Sequence, residues 1–341
     1  AIVVSEGLCA SNGILVKKSE ILENASKTNT IVFDKTGTLT YGKLKISKIY
    51  NYSNLEEKEL IQLTGSIEEK STHPIGKAFT DYMKENKISK IEVSNMQNLA
   101  GYGLVGEVNN QKLMLGNRKM MEKFSIPNSH LEDEKELAKN GNSIVYVTRN
   151  DEIIALIGVN DIVRENAKEV ISKLNSHNID TIMLTGDKKE TAEKIGKELG
   201  ITKVISNVLP AQKSETIKDL KAKGNKVMMC GDGINDSPAL TNADIGVSVK
   251  SGTDIAMDSS DVILTKNDLN SVLKLIIISE KTVKNIKQNL FWAFFYNCLM
   301  IPVAIGILKP IGISINPMIA SLAMVFSSLT VILNALRLRK I

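Results

Sequence analysis

Three short polar clusters in the sequence contain the residues best suited to phosphate chemistry. Each cluster follows a short apolar segment that predicts a buried strand. Because the carboxyl ends of parallel strands meet at one edge of a sheet, where open α/β proteins bind their ligands, we expect the clusters to surround one phosphate group. The clusters are Asp34-Lys35-Thr36-Gly37-Thr38, Thr185-Gly186-Asp187 and Gly231-Asp232-Gly233-Ile234-Asn235-Asp236.

The side chains in these clusters, with one lysine, suit phosphoryl transfer. Asp34 is the candidate nucleophile, because a carboxylate can attack a γ-phosphate and form an acyl phosphate. Asp232 supplies a second carboxylate, and Mg²⁺ prefers carboxylate and phosphate oxygens. Lys213 offers a positive charge to the phosphoryl oxygens, and Thr185 with the Gly186 amide can donate hydrogen bonds to them. The chemistry required of such a set is almost entirely electrostatic.

The residue two positions after Asp34 favours a long-lived phosphorylated aspartate. A hydrolase that works through an aspartate needs a second acid there to protonate the leaving group and then to activate water. Thr36 occupies this position and cannot do either. The sequence therefore favours a protein that couples its phosphorylated state to a conformational change over a phosphatase.

Alternating strands and helices surround the clusters and predict an α/β fold. From residue 153, the apolar segments IIALIGV, TIMLTGD, KVISNV and KVMMCGDG alternate with helical patterns. This order predicts a doubly wound parallel sheet with right-handed crossovers. The strand Thr30–Phe33 before Asp34 would join that sheet, so the mixed pattern of residues 43–152 indicates an inserted domain.

Two apolar spans, residues 288–308 and 311–336, lie near the end of the chain. Each is long enough to cross a hydrocarbon core of about 30 Å as a helix. The alternative is a buried helical hairpin in a soluble core. Lysines 281, 284 and 287 precede the pair and Arg337, Arg339 and Lys340 follow it, whereas the loop between has only Lys309. The positive-inside rule then predicts that both outer ends are cytosolic.

Charge and cysteine content exclude several function classes. The 43 basic residues nearly balance the 38 acidic ones, for a net charge of +5, so a nucleic-acid partner is not indicated. Cys9, Cys230 and Cys298 lie far apart and form no CxxC pair, which argues against a disulfide framework or a zinc site made of cysteines.

The motifs DKTGTLT, TGD and GDGINDSPAL together resemble the signature of the P-type ATPases, which have a haloacid dehalogenase-like fold. The resemblance covers essentially the whole chain and implies that ATP phosphorylates Asp34. It also implies that Asn235 and Asp236 lie close to the phosphate and the metal. The implied catalytic residues are Asp34, Lys213, Thr185, Gly186, Asp187 and Asn235, and the implied Mg²⁺ ligands are Asp34, the Thr36 carbonyl, Asp232 and Asp236.

The inserted domain carries THPIG, AGYGLVG and LGNRKM. A histidine can stack on a purine, and paired glycines allow a nucleotide to approach the backbone closely. Together these segments resemble the nucleotide-binding domain of the heavy-metal class of P-type ATPases. The resemblance implies that the adenine and ribose of ATP are bound by Glu68, His73, Gly101, Gly103 and Asn117.

Polar residues within the two apolar spans are candidates for an ion path, although helix-to-helix hydrogen bonding is an alternative. The pattern YN in the first span and MxxSS in the second resembles the copper(I) branch of the heavy-metal class. A thioether suits Cu(I), and neither span has a carboxylate to favour a harder divalent ion. The implied transport residues are Tyr296, Asn297, Met324 and Ser328.

The resemblance implies the following organisation. The chain is expected to be the C-terminal part of a Cu(I) exporter of the cell membrane, without the actuator domain and the Cys-Pro-Cys helix, and to depend on that missing N-terminal part for turnover. A small copper chaperone is the expected metal donor. The expected domains are the end of a membrane helix (1–24), a cytosolic phosphorylation domain (25–42 and 153–280), a cytosolic nucleotide-binding domain of α+β type (43–152) and two transmembrane helices (281–341).

Three other functions remain open at this point. The first is a P-type ATPase that transports zinc, cadmium or cobalt. The second is a soluble phosphatase or phosphotransferase of the same fold with a hydrophobic tail. The third is a nucleotide-binding regulatory fragment without catalysis.

Overall fold

The structure is a computed structural model, and it describes residues 1–71, 73–232, 236–249, 258–266, 268–305 and 317–340. The chain divides into two compact units. Unit 1 comprises Ala1–Asp34, Asn166–Leu184 and Leu209–Ile341, and unit 2 comprises Lys35–Glu165 and Thr185–Val208. Asn235, which the sequence predicts as a catalytic residue, lies outside the described residues.

The strands and helices of the described residues have the following bounds. The strands are β1 (Ile14–Val16), β2 (Thr30–Asp34), β3 (Thr40–Asn51), β4 (Ser94–Leu99), β5 (Gly103–Val108), β6 (Gln111–Gly116), β7 (Ser143–Arg149), β8 (Glu152–Val163), β9 (Asp180–Leu184), β10 (Lys203–Ile205), β11 (Val227–Gly231), β12 (Ile245–Val249) and β13 (Val262–Leu264). The helices are α1 (Ile2–Ser11), α2 (Glu20–Ala25), α3 (Glu57–Glu68), α4 (Pro74–Glu85), α5 (Arg118–Lys123), α6 (Leu131–Lys139), α7 (Ala167–Ser176), α8 (Lys189–Leu199), α9 (Pro210–Ala222), α10 (Ser237–Asn242), α11 (Asn270–Ala304) and α12 (Pro317–Leu336).

Unit 1 is built on a mainly parallel sheet. Within the unit its strands run in the order β1-β13-β12-β11-β2-β9, and all neighbours are parallel except β1 and β13. Every residue of β2 and β11 is buried. This burial explains why both strands are mostly apolar in the sequence and show no alternation of apolar and polar residues. The helices α7 and α9 pack on β9 and β11. The predicted parallel sheet is confirmed.

The register of unit 1 brings the functional strand ends level with one another. Asp34 of β2 pairs with Leu184 of β9, and Phe33 pairs with Cys230 of β11. The polar residues that follow these strands therefore begin at the same edge of the sheet, as the sequence predicts.

Unit 2 contains an antiparallel sheet of six strands in the order β3-β8-β7-β6-β5-β4. The helices α3 and α4 contribute Leu60, Ile61 and Phe79 to one apolar core with the sheet. A second core contains Met120 of α5 and Leu137 of α6. The predicted α+β insertion is thus a sheet with an apolar cluster on each face.

One strand assignment made from the sequence is wrong. The segment Ile153–Val159 was expected to begin the parallel sheet, but it belongs to β8, which pairs antiparallel with β3 and β7. Because residues on both sides of β8 join an apolar core, the strand is a continuous apolar run. Such a run is also typical of a strand in a parallel sheet, so the pattern does not distinguish the two.

The long helix α11 changes character along its length. Its first part is packed in unit 1 through residues such as Val272, Leu275 and Ile276, whereas Leu290 and Phe294 farther along are exposed. No helix within the described residues is both long enough and apolar enough to cross a membrane. The predicted spans 288–308 and 311–336 both run into residues 306–316, which lie outside the described residues, so the spans stay a prediction.

Candidate active site

The side chain of Asp34 lies at the end of β2 and is paired with a buried lysine. The Lys213 ammonium nitrogen is 2.5 Å from Asp34 Oδ1 and 2.7 Å from Asp236 Oδ1. All three residues are less than one-tenth exposed. Lys213 is in the first turn of α9, which begins with Pro210, and Asp236 immediately precedes α10. The structure therefore joins three residues that are predicted to serve the same phosphate.

Gly231, at the end of β11, allows Asp236 to reach this position. A Cβ atom on Gly231 would lie 2.8 Å from Asp236 Oδ2 and 2.9 Å from its Cβ. Real Cβ atoms do not approach other atoms so closely, so any larger residue here would displace the Asp236 carboxylate.

Three carboxylates converge as a divalent cation would require. One oxygen each of Asp34, Asp232 and Asp236 lies within 4.8 Å of the others. Oxygen donors of this kind fit Mg²⁺, and the Lys213 ammonium is paired with two of the three carboxylates, those of Asp34 and Asp236. Thr36, the fourth predicted ligand, is an exposed residue of unit 2 in an extended conformation, and its role stays a prediction.

The environment of Asp34 shifts its pKa. Burial, together with the negative charge of Asp236, raises the pKa of Asp34 to about 7, although Lys213 opposes the shift. Burial alone would lower the pKa of Lys213, but the Asp34 and Asp236 carboxylates raise it above its ordinary value. Lys213 therefore stays charged, and a cation bound to the three carboxylates would favour the ionised, nucleophilic form of Asp34.

The predicted cluster after β9 forms a tight loop in unit 2. The Asp187 amide donates to Thr185 Oγ1 at 3.1 Å, and the Val208 amide donates to the Thr185 carbonyl at 3.1 Å. The Asp187 carboxylate pairs with Lys35 at 2.7 Å. Asp187 thus holds the residue that follows Asp34 in the chain, a contact that the sequence does not predict. Gly186 is exposed within the same loop.

Arg164 is a buried residue of unit 2 that was not predicted from the sequence to have a role near the site. Its Nε donates to the Thr38 carbonyl at 2.6 Å and its Nη2 to the Gly37 carbonyl at 2.8 Å. The guanidinium also lies 5.0 Å from the centre of the Tyr41 ring. Arg164 therefore fixes the DKTGTLT loop through its backbone. Its only sequence signal is an arginine directly after a long apolar strand.

A cavity of about 480 Å³ in unit 2 brings the predicted nucleotide-binding residues together. It lies between α4, the β4–β5 turn and the start of α5. Aliphatic side chains such as Ile75, Leu104 and Val145 line part of it, which suits an aromatic base. All five predicted residues, Glu68, His73, Gly101, Gly103 and Asn117, contribute to its lining.

Two of these residues cap helices. His73 precedes α4, and its Nδ1 accepts a hydrogen bond from the Ile75 amide at 3.3 Å, which leaves Nε2 as the outward nitrogen of an exposed ring. Asn117 precedes α5, where its Oδ1 accepts from the Met120 amide at 3.2 Å and its Nδ2 donates to the Gly101 carbonyl at 2.9 Å. Asn117 therefore positions the glycine turn in addition to lining the cavity.

Gly103 is the glycine whose replacement should damage this cavity most. Its φ is +150°, and a Cβ would lie 2.1 Å from the Leu115 carbonyl oxygen. Because backbone atoms cannot move aside as a side chain can, we expect Gly103→Ala to destabilise unit 2 by about 3 kcal/mol and to weaken nucleotide binding. Denaturant unfolding and ATP titration by calorimetry measure the two effects.

Gly101→Ala is the matched control. Gly101 has a φ of +80°, and a Cβ there would meet nothing within 4 Å. We expect only the conformational cost, about 1 kcal/mol. Equal destabilisation by the two alanines would contradict the close approach at Gly103.

Glu68 is a buried carboxyl group at the end of α3, and burial raises its pKa to about 7. Because the folded-state pKa exceeds the unfolded value, the folded state binds the proton more tightly, and stability falls as pH rises from about 4.5 to about 7. We expect Glu68→Gln to match the original protein near pH 5 and to exceed it by up to about 3 kcal/mol at pH 8.

Hydrogen exchange of the β5 and β6 amides at several pH values measures this difference. Glu69→Gln provides the control, because Glu69 is exposed one position later. A Glu68→Gln protein with the same pH dependence as the original would exclude the buried, protonated carboxyl group.

The four predicted transport residues lie on the two long helices. Tyr296 and Asn297 are on α11, and Met324 and Ser328 are on α12, where Met324 is 75% exposed. The described hydrogen bonds between the helices lie elsewhere, at Asn285 and Asn334. The transport role of the four residues stays a prediction.

Comparison with protein families identifies similar proteins across the chain. The family model of the haloacid dehalogenase-like hydrolases matches residues 28–244. A copper-exporting P-type ATPase of Legionella pneumophila is 40% identical over all of this chain and 46% of its own length. One of Bacillus subtilis is also 40% identical, over all of this chain and 42% of its own length. The chain thus spans less than half the length of these relatives.

Solved structures show the same likeness in three dimensions. A zinc-transporting PIB-type ATPase in the E2.Pi state has a TM-score of 0.89 and 30% identity, over 99% of this chain and 54% of its own. The catalytic domain of the CPx-ATPase CopB-B, from a study of its conformational changes on nucleotide binding, has a TM-score of 0.64 and 31% identity, over 79% of this chain and 98% of its own.

Proposed function

The chain belongs to the haloacid dehalogenase-like hydrolase family and, within it, to the heavy-metal P-type ATPases, and on that premise we propose that it is the catalytic and C-terminal part of an ATP-driven exporter of Cu(I). The observation that carries this proposal is the buried cluster of Asp34, Lys213 and Asp236 at the carboxyl edge of the parallel sheet. It unites a nucleophile, a cation and a second carboxylate at the place where such sheets bind ligands.

In the proposed reaction, an Asp34 oxygen attacks the γ-phosphorus of ATP. The bond from phosphorus to the bridging oxygen breaks, and ADP leaves with that electron pair. Lys213 stabilises charge on the phosphoryl oxygens, and Thr185 with Gly186 donates hydrogen bonds to them. Asp187 holds Lys35 in the loop after the nucleophile. Asn235 is proposed to lie beside the phosphate.

The acidic cluster is the proposed Mg²⁺ site. Its ligands would be the carboxylates of Asp34, Asp232 and Asp236 together with the Thr36 carbonyl. Mg²⁺, when bound, supplies positive charge that offsets the charge of the transferring phosphoryl group. The protein's part is to hold three carboxylates within reach of one another in a buried setting.

The cavity of unit 2 is the proposed binding site for the adenine and ribose of ATP. Glu68, once protonated, can donate a hydrogen bond to a ring nitrogen, and His73 can stack on the base through its exposed ring. Gly103 keeps the backbone of β5 close to β6, so that the cavity stays open.

The transported ion is proposed to be Cu(I), bound by Tyr296, Asn297, Met324 and Ser328 within two membrane helices. The curated relatives cited above export copper, although the similar solved structure with the higher TM-score transports zinc. The phosphorylation domain and the nucleotide-binding domain would face the cytosol, and Ile153–Val159 would belong to the nucleotide-binding domain, because β8 pairs with β3 and β7. The rest of the pump, including its actuator domain, and a small copper chaperone are the proposed partners.

Phosphorylation by γ-labelled ATP tests the catalytic proposal. We expect the chain with Mg²⁺ to acquire label that survives acid and is released by hydroxylamine. Release of phosphate from small phosphomonoesters without such label would instead favour a phosphatase, and ATP binding without label a regulatory fragment. In the complete pump, stimulation by Cu(I) but not by Zn²⁺, Cd²⁺ or Co²⁺ would identify the metal.

A further inference from the structure

The exposed surface of α11 changes abruptly from basic to aromatic. Lys281, Lys284 and Lys287 are exposed, and the exposed aromatic residues begin one turn later. At 3.6 residues per turn, Lys284 and Lys287 lie on the same side of the helix as Phe291 and Phe294, which are 61% and 70% exposed. Charged and apolar groups thus adjoin along one helix face.

The last turn of α12 contacts the same part of α11. The Asn285 side chain donates to the Asn334 carbonyl at 2.8 Å, and the Asn334 side chain donates to Asn289 Oδ1 at 2.9 Å. Arg337 Nη1 donates to Asn334 Oδ1 at 3.4 Å. Arg337 is therefore linked through Asn334 to Asn289, two positions after Lys287 on α11. Exposed apolar residues of α12 such as Ile332 and Leu333 precede Arg337.

No ion pair with a carboxylate involves these cations among the residues that the structure describes. Residues 281–341 contain no Asp or Glu. Within the described part of the chain, no ion pair joins Lys281, Lys284, Lys287 or Arg337 to an acid, and the nearby Glu280 faces His177 instead, at 4.0 Å. A partner for this surface must supply anionic groups next to an apolar layer.

We propose that Lys284, Lys287 and Arg337 form a binding site for the phosphate of an anionic phospholipid, whose acyl chains cover Phe291 and Phe294. Long basic side chains extend toward headgroups while their stems stay on apolar surface, and each basic residue near an anionic membrane strengthens binding. This proposal depends on the proposed membrane location of α11 and α12. It goes beyond that location in predicting that the protein prefers lipids with an anionic headgroup.

The single tryptophan, Trp292, reports on this surface because it lies within two turns of Lys287 and is 42% exposed. The full chain is reconstituted into phosphatidylcholine nanodiscs. One sample contains phosphatidylglycerol with a spin label on its acyl chain, and the other contains phosphatidylcholine with the same label at the same mole fraction. We expect the anionic lipid to quench Trp292 with about fivefold higher apparent affinity, and salt to reduce this preference.

Lys284→Gln combined with Lys287→Gln should reduce the preference to within about twofold. Arginine at both positions should retain it. Lys218→Gln with Lys223→Gln removes the same charge from exposed positions of unit 1 and should leave it unchanged. Equal quenching by both lipids in the original protein would overturn the headgroup site while membrane insertion stands. No quenching by either lipid would overturn the membrane location, and the headgroup site with it.

Discussion

Asp34→Asn is expected to abolish phosphorylation by ATP, with a reduction in acid-stable label of at least about a thousandfold. An amide is a poor nucleophile and cannot form the acyl phosphate. Because Lys213 keeps its contact with Asp236, at 2.7 Å, the variant should fold, with a stability within about 1 kcal/mol of the original. Acid quench after incubation with γ-labelled ATP and Mg²⁺ measures the first effect, and denaturant unfolding the second.

The control for this variant is Asp219→Asn, an exposed carboxylate on α9 whose loss should not change labelling. ATP binding by calorimetry should be similar in all three proteins, since the proposed nucleotide cavity is formed by unit 2 alone. If Asp34→Asn acquired as much hydroxylamine-labile label as the original protein, the phosphate would be on another residue and the proposed mechanism would lose its basis.

Lys213→Met is expected to destabilise unit 1 by about 3 kcal/mol at pH 8, because it leaves two buried carboxylates without their cation. Loss of Lys213 raises the pKa of Asp34 further above its ordinary value, so the folded state holds a proton more tightly. Stability is then lost as pH rises, and the deficit should be smaller at pH 5 than at pH 8. Labelling by ATP should fall by about a hundredfold or more.

Hydrogen exchange of the β2 and β11 amides measures the destabilisation locally. The double variant Asp34→Asn, Lys213→Met should be less destabilised than the sum of the single changes, because the two side chains are in direct contact. Lys218→Met, an exposed position on the same helix, is the control. A deficit that does not depend on pH would mean that Lys213 acts through packing and not through its charge.

Both predictions depend on residues that the sequence indicates well. Asp34 ends one short strand that is buried on both faces, and Asp232 and Asp236 come after another. This pattern appears in the sequence because strands covered on both faces are mostly apolar. The five residues predicted to bind nucleotide follow from the resemblance of their motifs to a known family, and they line one cavity. Local chemistry and periodicity are sufficient for the strand ends, whereas the residues predicted to bind nucleotide depend on the family resemblance.

Other features depend on distant contacts. Lys213 lies 179 positions from Asp34, and nothing in its neighbourhood shows that its ammonium contacts two carboxylates. Arg164 resembles any arginine after a strand until the carbonyls of Gly37 and Thr38 are found beside it. The antiparallel pairing of β8 was missed because a strand covered on both faces has the same pattern in either kind of sheet.

The sequence by itself determined which residue types are present for the proposed phosphoryl transfer, most of the alternating strands and helices that position them, and the boundary between basic and apolar residues on α11. Only the tertiary structure decided which charges meet, that Asp187 pairs with Lys35, and that Glu68 is buried enough to hold its proton near neutral pH. The physical reason is that periodicity and turn chemistry act over a few residues, whereas pKa values and ion pairs depend on groups that the fold brings together from distant parts of the chain.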